Sequence, residues 1–136
     1  MRDTGRAGNL LRAAEKAGVA ERIEVERLDV TDRASVANCP EIVLDRYGRL
    51  DAVVNNAGAG FLGTVEQEGM APVRAAVEVD SFGVVEVTRP AMPYLRAGGG
   101  RVVTVTSVGG VVGQPFNEAY CAARFAVEAL TADRPP

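Results

Sequence analysis

The chain has 136 residues, 47% of them hydrophobic, and its 15 Lys and Arg against 18 Asp and Glu give a formal net charge of −3. This length and hydrophobic content suffice for one domain with a buried core, and the mildly acidic balance gives no reason to expect a nucleic acid as partner. The absence of histidine, together with only two cysteines, excludes a Ser-His-Asp triad, a histidine-ligated zinc site and a four-thiolate metal site.

Helix-forming and strand-forming segments alternate along the chain. Composition, periodicity and turn signals predict a helix over 7–17, a strand over 23–30, a helix over 31–48, a strand over 50–54, a helix over 70–96, a strand over 101–106, a helix over 117–129 and a tail over 133–136. Thr31 and Asn117 are predicted to cap the second and last helices, and Pro40 is predicted to kink or break the second. Continuous apolar strands separated by helices predict an α/β fold with a parallel sheet covered on both faces.

Apolar stripes on two of the predicted helices are expected to face the core. The stripes consist of Leu10 and Leu11 in the first helix, and of Val73, Val77 and Val84 in the third. Apolar side chains at this spacing lie on one side of a helix. We therefore expect both helices to pack against neighbouring elements.

The last predicted helix carries a pair of side chains suited to proton transfer. Tyr120 and Arg124 are spaced i and i+4, so both lie on one helix face. A guanidinium beside a phenol favours the phenolate, which would make Tyr120 a general acid and base in a chain without histidine. The alternative is an amphipathic surface helix, on which such a pair has no chemical role.

Polar residues stand at the ends of the predicted strands. Ser107 follows the third strand, Asn55-Asn56-Ala57-Gly58 follows the second, and Asp29 lies at the end of the first. Ligands of parallel α/β sheets bind at the carboxyl edge of the strands, so these residues are candidates for a ligand site. Each also has a structural interpretation, respectively a serine at a strand end, a turn with left-handed backbone, and a loop or capping carboxylate.

The order and spacing of these motifs are typical of one enzyme family. Asn55-Asn56-Ala57-Gly58, then Ser107, then Tyr120 thirteen residues later, resemble the NNAG element and the catalytic serine and tyrosine of the short-chain dehydrogenases/reductases. Leu28-Asp29-Val30 resembles the adenine-contacting stretch of that family. The run from Ser107 to Ala123 is similar to the branch that contains the 17β-hydroxysteroid and photoreceptor-type retinol dehydrogenases. The resemblance implies a partial Rossmann-type doubly wound parallel sheet, with the family's strands three to five and their flanking helices.

The resemblance also implies an activity, namely hydride transfer between a nicotinamide cofactor and an alcohol or carbonyl group. The implied catalytic residues are Ser107, Tyr120, Arg124 and Asp80. The implied cofactor-binding residues are Arg2, Asp29, Val30, Asn56, Ala57, Gly58, Tyr120 and Arg124. Arg2 matches a basic residue that meets the 2′-phosphate in this branch, so NADP(H) is favoured over NAD(H).

The sequence departs from the family pattern at two site positions and in one motif. Arg124 stands where the family has lysine, and its planar guanidinium is larger than an ammonium group. Asp80 stands where the family has asparagine, so a charge is added and two hydrogen-bond donors are lost. The Gly-rich dinucleotide fingerprint is missing. We therefore expect residues 1–136 to be part of a domain, without its N-terminal Gly-rich unit and its C-terminal substrate-binding part.

Two functions remain open at this point. One is an NAD(P)-dependent oxidoreductase for a lipophilic, steroid- or retinol-like alcohol or ketone, because the loop over 108–116 is apolar apart from Gln114. The other is an inactive Rossmann fragment that acts only through association with a partner chain. In the family, helices matching about 80–96 and 117–130 commonly build a dimer interface, so a homodimer is compatible with both. No stretch approaches the roughly 18 apolar residues of a membrane span, and the polar start is unlike a signal peptide, which favours a cytoplasmic protein.

Overall fold

The computed structural model describes residues 1–132, and the tail predicted over 133–136 lies outside the described residues. The regular elements are α1 (Gly8–Lys16), α2 (Arg33–Tyr47), β1 (Ala52–Asn55), α3 (Val65–Glu68), α4 (Met70–Val77), α5 (Gly83–Gly98), β2 (Arg101–Thr104) and α6 (Glu118–Thr131). A π-helical turn over Glu78–Phe82 joins α4 to α5, and 3₁₀ turns occupy Thr4–Ala7, Ala20–Arg22 and Val108–Gly110. Within residues 1–132, no helix combines the length and the apolarity needed to cross a membrane.

The sheet is formed by β1 and β2, which confirm two of the predicted strands. The two strands are parallel, with Val54 opposite Val103. Helix α5 covers one face of the sheet, where the buried Asn55 side chain donates a hydrogen bond to Thr88 Oγ1 at 2.9 Å. Val54 and Val103 alternate to the other face, where they are 60% and 49% exposed. The sheet is therefore packed on one face, and among the described residues the other face is largely uncovered.

The strand predicted over 23–30 is wrong, because this segment forms no regular strand. A strand needs a ladder of backbone hydrogen bonds to a neighbouring strand. Within residues 1–132, the strand-like backbone partner of this segment is Met1. The Met1 amino group donates to the Glu26 carbonyl at 2.7 Å, and the Leu28 amide donates to the Met1 carbonyl at 3.0 Å. The apolar residues of the segment are present, but its ladder consists of these two bonds.

The capping residue of helix α2 lies one residue later than predicted, and the helix is not broken by its proline. Asp32 is the capping residue, since its carboxylate accepts hydrogen bonds from the Ala34 and Ser35 amides. The prediction of Thr31 as the cap is wrong, because its hydroxyl donates to the Asp29 carboxylate. Pro40 is buried inside α2, which continues to Tyr47, so the predicted break is also wrong.

The other helices correct the prediction in two places. The helix predicted over 70–96 is divided into α4 and α5 by the π-helical turn. Asn117 lies at the N-cap of α6, but its side chain makes no capping hydrogen bond. It donates to the Gln114 side chain at 3.3 Å instead, which holds the loop before α6 rather than its first turn.

The core lies between α4 and α6, and the predicted apolar stripes reach it only in part. Ala76 of α4 is buried with Ala119 and Ala123 of α6, and Val73 and Val77 pack against this group. Val84 is buried as predicted. Leu10 and Leu11 are exposed, so the stripe predicted in α1 does not face the core, although Ala14 of the same helix is buried.

Candidate active site

The π-helical turn places two polar side chains inside the molecule. Asp80 is fully buried, and its Oδ1 accepts a hydrogen bond from the Ala59 amide at 2.8 Å. Ser81 is buried beside it and donates its hydroxyl to the Ala123 carbonyl of α6 at 2.7 Å. The wider winding of a π turn is a frequent feature of functional sites. Here the two neighbouring residues of the turn bind different elements: Asp80 binds the loop after β1, and Ser81 binds helix α6.

Arg124 is the centre of the site and is only 7% exposed. Its Nη1 donates to the Val105 carbonyl at 3.1 Å, and its Nη2 lies 3.6 Å from Asp80 Oδ1. The guanidinium carbon lies 5.2 Å from the centre of the Tyr120 ring, within the range of a cation–π contact. The proximity predicted from the i, i+4 spacing is therefore present, and Asp80 joins it from a distant part of the sequence.

The buried charges of Asp80 and Arg124 are only partly compensated. Burial raises the pKa of the Asp80 carboxyl, while the Ala59 amide and the Arg124 charge act in the opposite direction. Asp80 Oδ2 and Arg124 Nε have no hydrogen-bond partner within the described part of the chain. The pair thus retains one free acceptor and one free donor in a buried position.

Gly109 contacts both Ser107 and Tyr120. Ser107 Oγ accepts a hydrogen bond from the Gly109 amide at 3.2 Å, and so begins the 3₁₀ turn over Val108–Gly110. A Cβ built on Gly109 would lie 3.1 Å from Cε1 of Tyr120, so the turn packs closely on the edge of the phenol ring. Because Ser107 uses an acceptor lone pair in this bond, its O–H group is still available as a donor.

The segment Asn55-Asn56-Ala57-Gly58 consists of one buried asparagine at the end of β1 and three exposed loop residues. Asn55 is buried and holds β1 to Thr88 of α5. Asn56, Ala57 and Gly58 are exposed beyond the end of the strand. The sequence reasoning missed the partners that hold the site, Thr88, Ala59 and Val105, because two of them contribute only backbone atoms and carry no side-chain signal.

The remaining predicted cofactor residues form a second group near the N-terminus. Asp29 Oδ1 accepts hydrogen bonds from the amide and the hydroxyl of Thr31 at 3.0 and 2.8 Å. The Thr31 amide is the main cause that lowers the pKa of Asp29, and the charge of Arg2 contributes. Val30 packs against Gly83, where a Cβ would lie 2.8 Å from Val30 Cγ2. In the part of the chain that the structure describes, no hydrogen bond or ion pair connects Arg2 or Asp29 with Arg124.

Comparison with known proteins identifies the family. A sequence profile described as short chain dehydrogenase matches residues 3–134. The chain belongs to this family. It is 40% identical over 132 residues to human 17-beta-hydroxysteroid dehydrogenase type 1, a match that covers 96% of this chain and 40% of the relative. It is 37% identical over 129 residues to bovine retinol dehydrogenase 8, covering 94% of this chain and 40% of that protein.

The solved structures agree with this membership. An alcohol dehydrogenase from Thermococcus sibiricus, complexed with 5-hydroxy-NADP, superposes with a TM-score of 0.84 at 26% identity, over 96% of this chain and 55% of that chain. The fold is accordingly a partial Rossmann-type α/β fold. The chain spans 40% of the length of each of the two curated relatives named above.

Proposed function

We propose that this chain is the central part of an NAD(P)-dependent oxidoreductase that interconverts a secondary alcohol and a ketone, or oxidises and reduces a lipophilic alcohol and its carbonyl product. The observation that carries the proposal is the Arg124 guanidinium, held 5.2 Å from the Tyr120 ring centre on α6. A fixed cation at a phenol supports transfer of the phenolic proton. Family membership supplies the reaction class.

Different residues of the chain would serve proton transfer, positioning and cofactor binding. Tyr120 would exchange a proton with the substrate oxygen, and the free O–H of Ser107 would donate a hydrogen bond to the same oxygen. Arg124 and Asp80 would act as positioning residues beneath them. A bound nicotinamide would supply or accept the hydride. The exposed Asn56, Ala57 and Gly58 fit such a group, because they leave the loop after β1 open.

NADP(H) is our preferred cofactor over NAD(H). Support comes from the exposed Arg2, a cation free to meet a 2′-phosphate near Asp29 and Val30. The structure of the Thermococcus sibiricus relative contains an NADP derivative, which is compatible with this choice. Tyr120 and Arg124 would complete the cofactor site from α6.

A lipophilic substrate fits the surface beside Tyr120. The side chains that line the loop before α6 are apolar and exposed; they are Val108, Val111, Val112 and Phe116. Such a surface favours an apolar ligand with one polar group at the reactive end. Two relatives are named for hydroxysteroid and retinol substrates, so we propose a steroid- or retinol-like alcohol or ketone.

The proposal extends to the domain and its assembly. Residues 1–136 would form part of a longer Rossmann-type domain in a cytoplasmic protein, in which Cys39 and Cys121 remain free thiols as they are here. The exposed Phe82 of the π-helical turn and the exposed Phe125 and Leu130 of α6 would support a homodimer. The relatives are named as dehydrogenases, which favours the enzyme over an inactive fragment that acts by association.

Replacement of the tyrosine tests the proposal. Tyr120→Phe removes the hydroxyl and should lower turnover of a steroid or retinoid carbonyl, followed through NADPH absorbance, by about 10²- to 10⁴-fold. Tyr47→Phe, an exposed tyrosine at the end of α2, is the matched control and should be unchanged. Equal turnover in Tyr120→Phe and the parent chain would reject the proposed role. Turnover is measured in the longer protein of which this chain is proposed to be the central part, and a parent protein with no turnover there would favour the association-only alternative.

A further inference from the structure

Three residues from separate parts of the chain occupy one small space in the site. Nη2 of Arg124 lies 3.6 Å from Oδ1 of Asp80. A Cβ built on Gly58 would overlap that Nη2 and would lie 3.1 Å from that Oδ1. The ion pair therefore fills the space that a side chain at position 58 would need.

We propose that Gly58, Asp80 and Arg124 form one positioning unit, in which the missing side chain at position 58 makes room for the guanidinium and Asp80 holds it against the Tyr120 ring. The two departures from the family pattern, Arg124 and Asp80, are then one linked change rather than two separate defects. The role of this unit in catalysis rests on the proposed function. The structural dependence of the three residues on one another does not.

The physical reason for the linkage is the burial of both charges. Asp80 is fully buried and Arg124 is 7% exposed, and a buried charge without a partner is strongly destabilising. Asp80 also accepts the Ala59 amide, so the residue next to Gly58 is tied to the same carboxylate. Displacement of the guanidinium would leave this carboxylate without its cation.

The extra atoms of arginine make the unit depend on glycine. The Cβ that overlaps Nη2 would lie 3.4 Å from the Arg124 Cζ, which is an ordinary contact distance. The amino group of a lysine ends near the position of that Cζ and has no atom corresponding to Nη2. Lysine at position 124 should therefore tolerate alanine at position 58, whereas arginine should not.

A competing explanation assigns Gly58 only to the approach of a cofactor. On that explanation a methyl group at position 58 would obstruct the ligand, and the identity of residue 124 would not change the effect. In the absence of any cofactor, the same methyl group would then have little effect on the chain. The two explanations can be separated without an activity measurement.

The experiment compares Gly58→Ala, Arg124→Lys and the double variant of the whole chain, without cofactor or substrate. Gly60→Ala is the matched control, because a Cβ at Gly60 meets nothing within 4 Å. Neither Gly58 nor Gly60 has a left-handed φ, so the backbone accepts alanine at both positions. The measurements are denaturant unfolding and the amide resonance of Ala59.

Gly58→Ala is expected to lower the folding equilibrium constant by about tenfold in the Arg124 chain, and by less than about twofold in the Arg124→Lys chain. The Ala59 resonance should move further in the first case than in the second, where only the shift caused by the neighbouring substitution itself is expected. Gly60→Ala should have little effect in either chain.

The proposed unit would be overturned if Gly58→Ala lowered the folding equilibrium constant equally in the Arg124 and Arg124→Lys chains, or lowered it in neither. If Gly58→Ala does not fold, folding of the double variant supports the unit, and failure of the double variant while Arg124→Lys folds overturns it. If the chain shows the rescue and Tyr120→Phe leaves the turnover of the longer protein unchanged, the proposed function alone is rejected.

Discussion

The N-terminal region, residues 1–32, and the helical side, residues 70–132, use similar apolar patterns with opposite results. In α1 only Ala14 is buried, and Leu10 is 44% exposed. In α6 five residues are buried, and Val127 has no exposed surface. Helix α6 packs against α4, the π-helical turn and the 3₁₀ turn that follows Ser107. An apolar stripe thus becomes core only where another element is packed on it.

Two carboxylates show the same difference in their ionisation. Asp29 of the N-terminal region is partly accessible, and two hydrogen bonds from Thr31 stabilise its charged form. Asp80 of the helical side is fully buried, and the loss of hydration is the main influence on its pKa. Both were candidate site residues, but the regions around them give them pKa values displaced in opposite directions.

Replacement of a core valine should separate the two regions most strongly. Val127→Ala removes apolar atoms from a fully buried side chain and should lower the free energy of unfolding by about 2 kcal/mol. Leu10→Ala, the comparable change in α1, removes a larger group but should cost only about 0.5 kcal/mol, because Leu10 is exposed. Urea unfolding of both variants measures the difference. Equal losses would mean that the N-terminal region is packed as tightly as the helical side.

The pH dependence of stability should have opposite signs for the two carboxylates. The pKa of Asp29 is lowered from its ordinary 3.8, so its stabilisation is present above that value and is lost as pH falls through its folded pKa. The pKa of Asp80 is raised, so its contribution is complete below 3.8 and is lost as pH rises through its folded pKa.

Asparagine variants measured by urea unfolding at a series of pH values test this pair of signs. On acidification, the stability of the parent chain relative to Asp29→Asn should fall, and its stability relative to Asp80→Asn should rise. If the two stability differences changed with pH in the same direction, the opposite pKa displacements inferred for Asp29 and Asp80 would be wrong.

The sequence predicted the reactive side chains of the site better than the tertiary contacts that hold them. Tyr120 and Arg124 share a helix, so their contact follows from local periodicity alone. The sequence marks Asp80 only as a departure from the family pattern. Its contact with Arg124 cannot be read from the sequence, because that contact depends on how the π-helical turn packs against α6. Local patterns do not distinguish an i+5 turn from an ordinary helix when tertiary packing decides it.

The predicted strands are correct where a second strand pairs with them, and wrong where no regular strand is formed. β1 and β2 were found because each is an apolar run that also pairs with the other. Residues 23–30 carry a similar run, but within residues 1–132 its strand-like backbone hydrogen bonds are the two made with Met1. Strand propensity describes a side-chain preference for a sheet, and it cannot report whether a neighbouring strand is present.

The smallest expected effect is that of exchanging the charged group beside Tyr120. Arg124→Lys keeps the positive charge and its pairing with Asp80, but it replaces a planar guanidinium by a compact point charge. If the size of arginine limits the site, turnover with NADPH and a steroid ketone should rise a few-fold. Arg6→Lys, at an exposed arginine of the 3₁₀ turn over Thr4–Ala7, is the control for a general effect of lysine. Unchanged or lower turnover in Arg124→Lys would contradict the idea that the size of arginine limits the site.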